Sequence, residues 1–180
     1  MILYGSDASP YVRRIRLLLH GKDFEFKKVS VFNAAQRKEL LKLTPILKIP
    51  LLQDGDKIIY DSLLITRHLG FEIDIKTHQD LILINEANDA GIIYYQLKFM
   101  NLDPYYENQF SLNQKSRILN ILDYFNENVP STWNLSAQWL YCMLDWFDYR
   151  EVIPWKEDFT NLLDFKEQNE ERPEIIATAP

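Results

Sequence analysis

The chain has 180 residues, 47% of them hydrophobic and 26% charged, with a formal net charge of −6. That is enough for one large domain or two small ones with a sizeable core, and the acidic balance argues against nucleic acid or an anionic membrane surface as a partner. The single cysteine, Cys142, excludes an intramolecular disulfide and points to a reducing compartment. No run approaches the roughly 18 apolar residues that would span a bilayer. The first residues already read as a strand, so no signal peptide is expected and the expected location is cytoplasmic.

The first 71 residues alternate strand and helix signals. Ile2-Leu3-Tyr4 is a short strand. Ser9-Pro10 starts a helix, with serine at the N-cap and proline at the first helical position. Val12, Ile15, Leu18 and Leu19 form its apolar face, Arg13, Arg14 and Arg16 read as a solvated edge, and Gly21 ends it. Phe24 to Val31 is a second strand, and Gln36 to Leu43 a second helix stopped by Thr44-Pro45. Residues 49–60 read as a hairpin around Asp54-Gly55, opened by Pro50, which donates nothing to a ladder. Asp61-Ser62 then caps a helix over Leu63 to Leu69 that Gly70 terminates. The same pair leaves backbone N–H groups and a hydroxyl at the positive end of a helix, beside a carboxylate. A ligand carrying both charges, such as an amino-acid end, fits that chemistry. The order βαβ, helix, ββ, helix describes a mixed sheet covered by helices.

After Gly70 the composition changes and the signals become helical only. Leu81, Ile84, Asn88, Gly91 and Tyr95 mark one long helix; Ile118, Leu122, Phe125 and Val129 mark another, stopped by Pro130. Asn134 caps a third, apolar nearly all round and so expected at the centre of a helical domain. A last helix is expected from about Asp158 to Glu170, and no element after it. Cys142, among Trp139, Met143 and Trp146, reads as a buried inert thiol. His20, His68 and His78 share no metal-like spacing, and no metal is expected.

Several of these stretches occur together in one known arrangement: Ser9-Pro10-Tyr11-Val12-Arg13, Lys48-Ile49-Pro50-Leu51-Leu52, Asp61-Ser62 with Ile65 and Leu69 behind it, the buried helix from Asn134 to Arg150, and the ending Arg172-Pro173 through Pro180. In that order and at those separations the chain resembles a cytosolic glutathione transferase, with a tail similar to a bacterial branch of the family. The resemblance implies an α+β, thioredoxin-like domain over 1–71 (βαβ-α-ββ-α, mixed sheet), a linker over 72–77 and an all-α domain over 78–180.

The resemblance also implies roles. Ile49 would pair its backbone with the cysteinyl part of glutathione, as an added strand does, with Pro50 cis. Asp61 would take the ammonium and Ser62 the carboxylate of the γ-glutamyl end. Ser9 would donate its hydroxyl to the thiolate, which the dipole of the first helix also favours. Lys48 and Arg37 are assigned to the glycine carboxylate on position alone. Tyr11, Tyr105 and Tyr106 are candidates for an acceptor pocket, with Tyr94 and Tyr95 divided between pocket and core. The implied activity is conjugation of glutathione, as co-substrate, to small electrophiles in detoxification, at a serine-type site and without metal. A homodimer is implied too, and Ala87, Ala90 and Gly91 on the long helix would admit a partner closely, with the helix from Ser62 to Leu69 facing it.

Read by themselves, Ser9 and Asp61-Ser62 are helix caps and nothing more. Two alternatives to conjugation stand: a non-catalytic member used for protein contacts, and a glutathione-dependent isomerase or reductase. Thiol–disulfide exchange is disfavoured, because the first helix begins with Ser9 and no Cys-x-x-Cys occurs. Three positions depart from the family pattern: Asp61 where glutamate is more frequent, Leu47 where glycine is frequent, and Ala137 where a capping aspartate is frequent.

Overall fold

A computed structural model describes residues 1–100 and 108–180. In chain order its elements are β1 (Ile2–Gly5), α1 (Pro10–Leu18), β2 (Glu25–Lys28), α2 (Ala34–Leu43), β3 (Leu51–Asp54), β4 (Lys57–Ile59), α3 (Ser62–His68), α4 (Ile75–Phe99), α5 (Gln109–Glu127), α6 (Leu135–Tyr149), α7 (Thr160–Asn169) and α8 (Pro173–Thr178). The chain divides into two compact units, Met1–Ile73 with Pro173–Pro180, and Asp74–Arg172.

The first unit is a four-stranded mixed sheet in the order β2-β1-β3-β4. β2 runs parallel to β1, with Leu3 opposite Phe26, while β3 runs antiparallel to β1 and β4 to β3, with Tyr4 opposite Leu51 and Leu52 opposite Ile59. Successive strand residues point to opposite faces. Tyr4 and Leu51 share one face with Leu40 of α2. Leu3 and Leu52 therefore belong to the other, and α1 lies on it: a Cβ on Gly5 would meet Val12 Cγ1 at 2.5 Å, so this close approach of helix to strand requires glycine. Leu3, Val12, Ile15, Leu19, Leu52 and Ile65 are fully buried, each such side chain stabilising the fold by about 1.5–3 kcal/mol.

Two expectations are corrected here. The tail expected with the helical domain forms α8 and packs on α1 in the first unit. Arg13 and Arg14, expected at a solvated edge, are buried. The reason is the same for the tail and for Arg13. The last carbonyls of a helix lack partners within it, and α1 supplies them: Arg13 Nη2 donates to the Ile175 carbonyl at 3.2 Å and Arg16 Nη1 to that of Thr178 at 3.1 Å. Cations at a helix C-terminus are also favoured by its dipole.

The second unit is all helical among the described residues. Asn134 caps α6 by accepting from the Ala137 N–H at 3.0 Å, and α6 buries Trp139, Cys142, Met143 and Phe147 completely, as its all-round apolar pattern requires. Ala87, Ala90 and Gly91 of α4, expected at a partner surface, are instead buried within this unit. A Cβ on Gly91 would meet Phe147 Cε1 at 2.8 Å, so the small residue lets α4 approach α6. Ser136 Oγ donates to Asp80 Oδ2 at 3.1 Å and ties α6 to α4. Asp148 accepts from Trp155 Nε1 at 3.0 Å and pairs with Lys156 and Lys166, and Lys166 also reaches Asp145.

Candidate active site

The strand directions decide where the predicted residues meet. β1 ends at Gly5. β3 begins at Leu51, opposite Tyr4, and β4 ends at Ile59, opposite Leu52. The segments that follow β1, precede β3 and follow β4 therefore emerge at one end of the sheet, and they carry Ser9, Ile49-Pro50 and Asp61-Ser62. Sequence spacing alone does not show this convergence.

Ser9 is the N-cap of α1. Its backbone is extended and its Oγ accepts from the Val12 N–H at 3.3 Å, which leaves the hydroxyl proton to donate. The Ile49–Pro50 peptide is cis. Pro50 is buried and Ile49 half-buried, and among the described residues no backbone group is hydrogen bonded to the Ile49 N–H or carbonyl. Asp61 is exposed and caps α3, its Oδ1 accepting from the Leu64 N–H at 2.9 Å. Its second carboxylate oxygen is available to a cation. Ser62 is the first residue of α3, where N–H groups have no partner inside the helix, and its side chain is buried.

The remaining predicted residues are less closely defined. Lys48 and Arg37 are exposed, one ahead of Ile49 and the other on α2. Tyr11 is half-buried, with the Arg14 guanidinium 4.9 Å from its ring centre. Tyr105 and Tyr106 lie outside the described residues. Tyr94 is core, and Tyr95 stacks on Phe99 with ring centres 6.0 Å apart. Leu47 has φ of 50°, the left-handed region that glycine enters most easily. The Tyr4 hydroxyl lies on the α2 face and donates to Gln53 Oε1 at 2.9 Å. Among the described residues no group could hold a metal ion, and no helix is long and apolar enough to cross a membrane.

Two cavities occur among the described residues. One of about 230 Å³ lies between β2 and α2, lined by Tyr4, Val29, Leu40 and Leu43. One of about 570 Å³ lies in the second unit beside Trp133 and Arg172. Neither is lined by Ser9, Ile49 or Ser62.

Residues missed at the sequence level adjoin Ser9. Asp7 pairs with Arg16 and Lys28, partners that come from α1 and β2. No local pattern marks such a pairing.

A mixed four-stranded sheet with a cis X-Pro bond ahead of its third strand, followed by a helical unit, defines a thioredoxin-like domain joined to an all-α domain. Residues 3–72 match the family model described as glutathione S-transferase, N-terminal domain. The chain is 34% identical over 94 residues to glutathione S-transferase F6 of Arabidopsis thaliana and 42% identical over 72 residues to glutathione S-transferase 1 of Dianthus caryophyllus. These matches cover 51% and 38% of this chain but only 44% and 33% of those relatives. A glutathione S-transferase from Methylobacillus flagellatus with GSH bound superposes with a TM-score of 0.86 at 20% identity, over 99% of this chain and 98% of that one. A glutathione transferase family member from Pseudomonas fluorescens with bound glutathione gives 0.82 at 24% identity, over 99% and 98%. Residues 3–72 are thus similar to a glutathione S-transferase N-terminal domain, and the fold of the whole chain is that of solved glutathione S-transferases.

Proposed function

We propose that the chain binds glutathione and activates its thiol for transfer to small electrophiles. The observation that carries this reading is the convergence, at one end of the sheet, of a serine-capped helix start, an Ile49 backbone without a strand partner, and the N-terminus of α3. The cysteinyl backbone of glutathione adds to Ile49 as a short antiparallel strand. The γ-glutamyl carboxylate meets the Ser62 N–H and hydroxyl, and the ammonium meets Asp61, whose Oδ1 stays with the Leu64 N–H. Lys48 and Arg37 take the glycine carboxylate. The sulfur then lies at the start of α1, where the Ser9 hydroxyl donates to it and the helix dipole favours negative charge. Both lower the thiol pKa from about 8.5. The thiol proton passes to solvent. The thiolate forms a carbon–sulfur bond to the electrophile, and a leaving group such as halide departs with the bonding pair.

Tyr11, Tyr105 and Tyr106 are the acceptor-pocket residues of this reading, and a serine-type site of the bacterial branch, a homodimer and a cytoplasmic role in detoxification belong to it as well. It is tested on immobilised glutathione. Retention of the chain, elution by free glutathione and turnover of an activated aromatic halide are expected. No retention, together with no thiolate absorbance on adding glutathione, would sink the reading.

A further inference from the structure

The loop that carries Ser9, residues 6–9 between β1 and α1, holds an acidic residue that the proposed glutathione site does not use. Asp7 Oδ1 lies 3.1 Å from Arg16 Nη1, and Asp7 Oδ2 lies 2.6 Å from Lys28 Nζ. The carboxylate is thus gripped by α1 and by β2. Arg16 is itself fixed. Its guanidinium lies 4.8 Å from the Phe26 ring centre and donates to the carbonyls of Thr178 at 3.1 Å and Ala177 at 3.3 Å. Arg13, one turn earlier, donates to Ile175 and to Thr178 Oγ1. A continuous series of contacts runs from α8 through Arg16 and Asp7 to the loop of Ser9.

We propose that Arg16, held in place by α8, neutralises Asp7 beside Ser9, and that docking of α8 on α1 thereby sets how strongly the bound thiol is activated. This rests on the glutathione reading above. Two residues of chain span at most about 7 Å, so Asp7 and Ser9 are close neighbours whatever the loop does. A bare carboxylate at that range opposes formation of a thiolate, and a paired one does not. Arg16 and Lys28 supply the pairing, and the carbonyls of α8 keep Arg16 turned toward it. The charged residues on the elements around the loop are Arg13, Arg14 and Arg16 on α1, Glu25, Lys27 and Lys28 on β2, and Glu174 on α8. Lys28 is largely exposed and pairs less firmly than Arg16, whose fork also satisfies a helix end.

The test uses the full chain, titrating thiolate absorbance of bound glutathione against pH and measuring glutathione affinity in parallel. Arg16→Met should raise the thiol pKa by about one unit, a tenfold loss of thiolate at low pH, with affinity changed less than about threefold. Adding Asp7→Asn to Arg16→Met should return the pKa to that of the unsubstituted chain, because no bare carboxylate remains. In the full chain, Arg13→Met, which removes donors to Ile175 and Thr178 of α8, should give part of the Arg16→Met shift, and Arg16→Lys, with its charge kept, less than half of it. An unchanged pKa in Arg16→Met with glutathione bound overturns the proposal. So does an equal rise in the single and double variants, which would mark a collapsed loop rather than an uncovered charge. If the unsubstituted chain binds no glutathione, the underlying reading fails and this one falls with it.

Discussion

Ser9 and Asp61 each have two jobs in the proposed site, and single atoms separate them. Ser9 Oγ accepts from Val12 while its proton is left to donate. Ser9→Ala should raise the bound thiol's pKa by about one to two units, as loss of a charge-assisted hydrogen bond of roughly 1.5–3 kcal/mol requires, with little change in glutathione affinity. It also removes the cap, lowering stability by about 0.5–2 kcal/mol in denaturant unfolding. Asp61→Asn keeps an acceptor for the Leu64 N–H, since asparagine caps as well as aspartate, but loses the charge for the ammonium. Its expected phenotype is weaker glutathione binding by calorimetry, at unchanged stability and unchanged thiol pKa. Leu47 shows two effects in opposition. Its left-handed backbone costs roughly 1–2 kcal/mol in a residue with a Cβ, while its side chain packs against the cluster of Tyr4, Leu40 and Leu51, a contribution of similar size. Leu47→Gly should therefore change stability by less than about 1 kcal/mol, and a larger fall would mean that packing dominates.

At the level of elements, α6 is anchored at its start by two contacts from different sources. Asn134 supplies the local cap, and Asp80 of α4 supplies a buried acceptor for Ser136. This explains how Ala137 stands where relatives' capping aspartate is expected: its N–H is already satisfied, and the tether comes from another helix. Asn134→Ala should cost about 0.5–2 kcal/mol. Ser136→Ala leaves one buried carboxylate oxygen without its donor and should cost about 1–3 kcal/mol. Denaturant midpoints at constant m-value would measure both. A double-mutant cycle should show near-additivity, because the two contacts share no atoms.

For the whole molecule, charge couples stability to pH at both ends of the scale. The Lys76 ammonium is pushed up to about 12 from 10.5 by its hydrogen bonds to Asp80 and then Tyr124. Burial pulls Lys166 down, but Asp145 and Asp148 outweigh it and leave that pKa raised. A raised folded-state pKa gives stability that is complete below the unfolded value of 10.5 and is lost as pH climbs toward 12. Asp74 is lowered from 3.8 by the Thr77 backbone and side chain, so its contribution is present above 3.8 and fades as pH falls through the depressed value. Unfolding midpoints should therefore drop above pH 10.5, and Lys166→Met should flatten that limb. An unchanged alkaline limb in the variant would remove Lys166 from the account. The proposed homodimer now rests on surface rather than on small residues: Leu64, Ile75 and Ile82 are each exposed, whereas Ala87, Ala90 and Gly91 are covered within their own unit. Light scattering at micromolar concentration should give twice the chain mass.

What the sequence determined by itself was whatever depends on neighbours along the chain. Caps at Ser9, Asp61 and Asn134, the turn at Asp54-Gly55, the stop at Pro45 and the apolar periods of α1 and α6 are all decided within a few residues, and the element order follows from them. The order also carried the resemblance to a glutathione transferase, through the separations of Ser9, Pro50 and Asp61-Ser62. The tertiary structure alone decided which polar residues are inside and what they hold. Arg13 and Arg16 reach carbonyls and a hydroxyl 161 to 165 residues away, so their spacing on α1 reads as a wet edge until α8 covers it. A six-residue helix such as α8 is too short to be stable alone, and it forms because α1 satisfies its last carbonyls. Asp7 has meaning only once β2 brings Lys28 beside α1. Polar groups are placed by whichever partner the fold delivers, and that partner leaves no periodic trace in the chain.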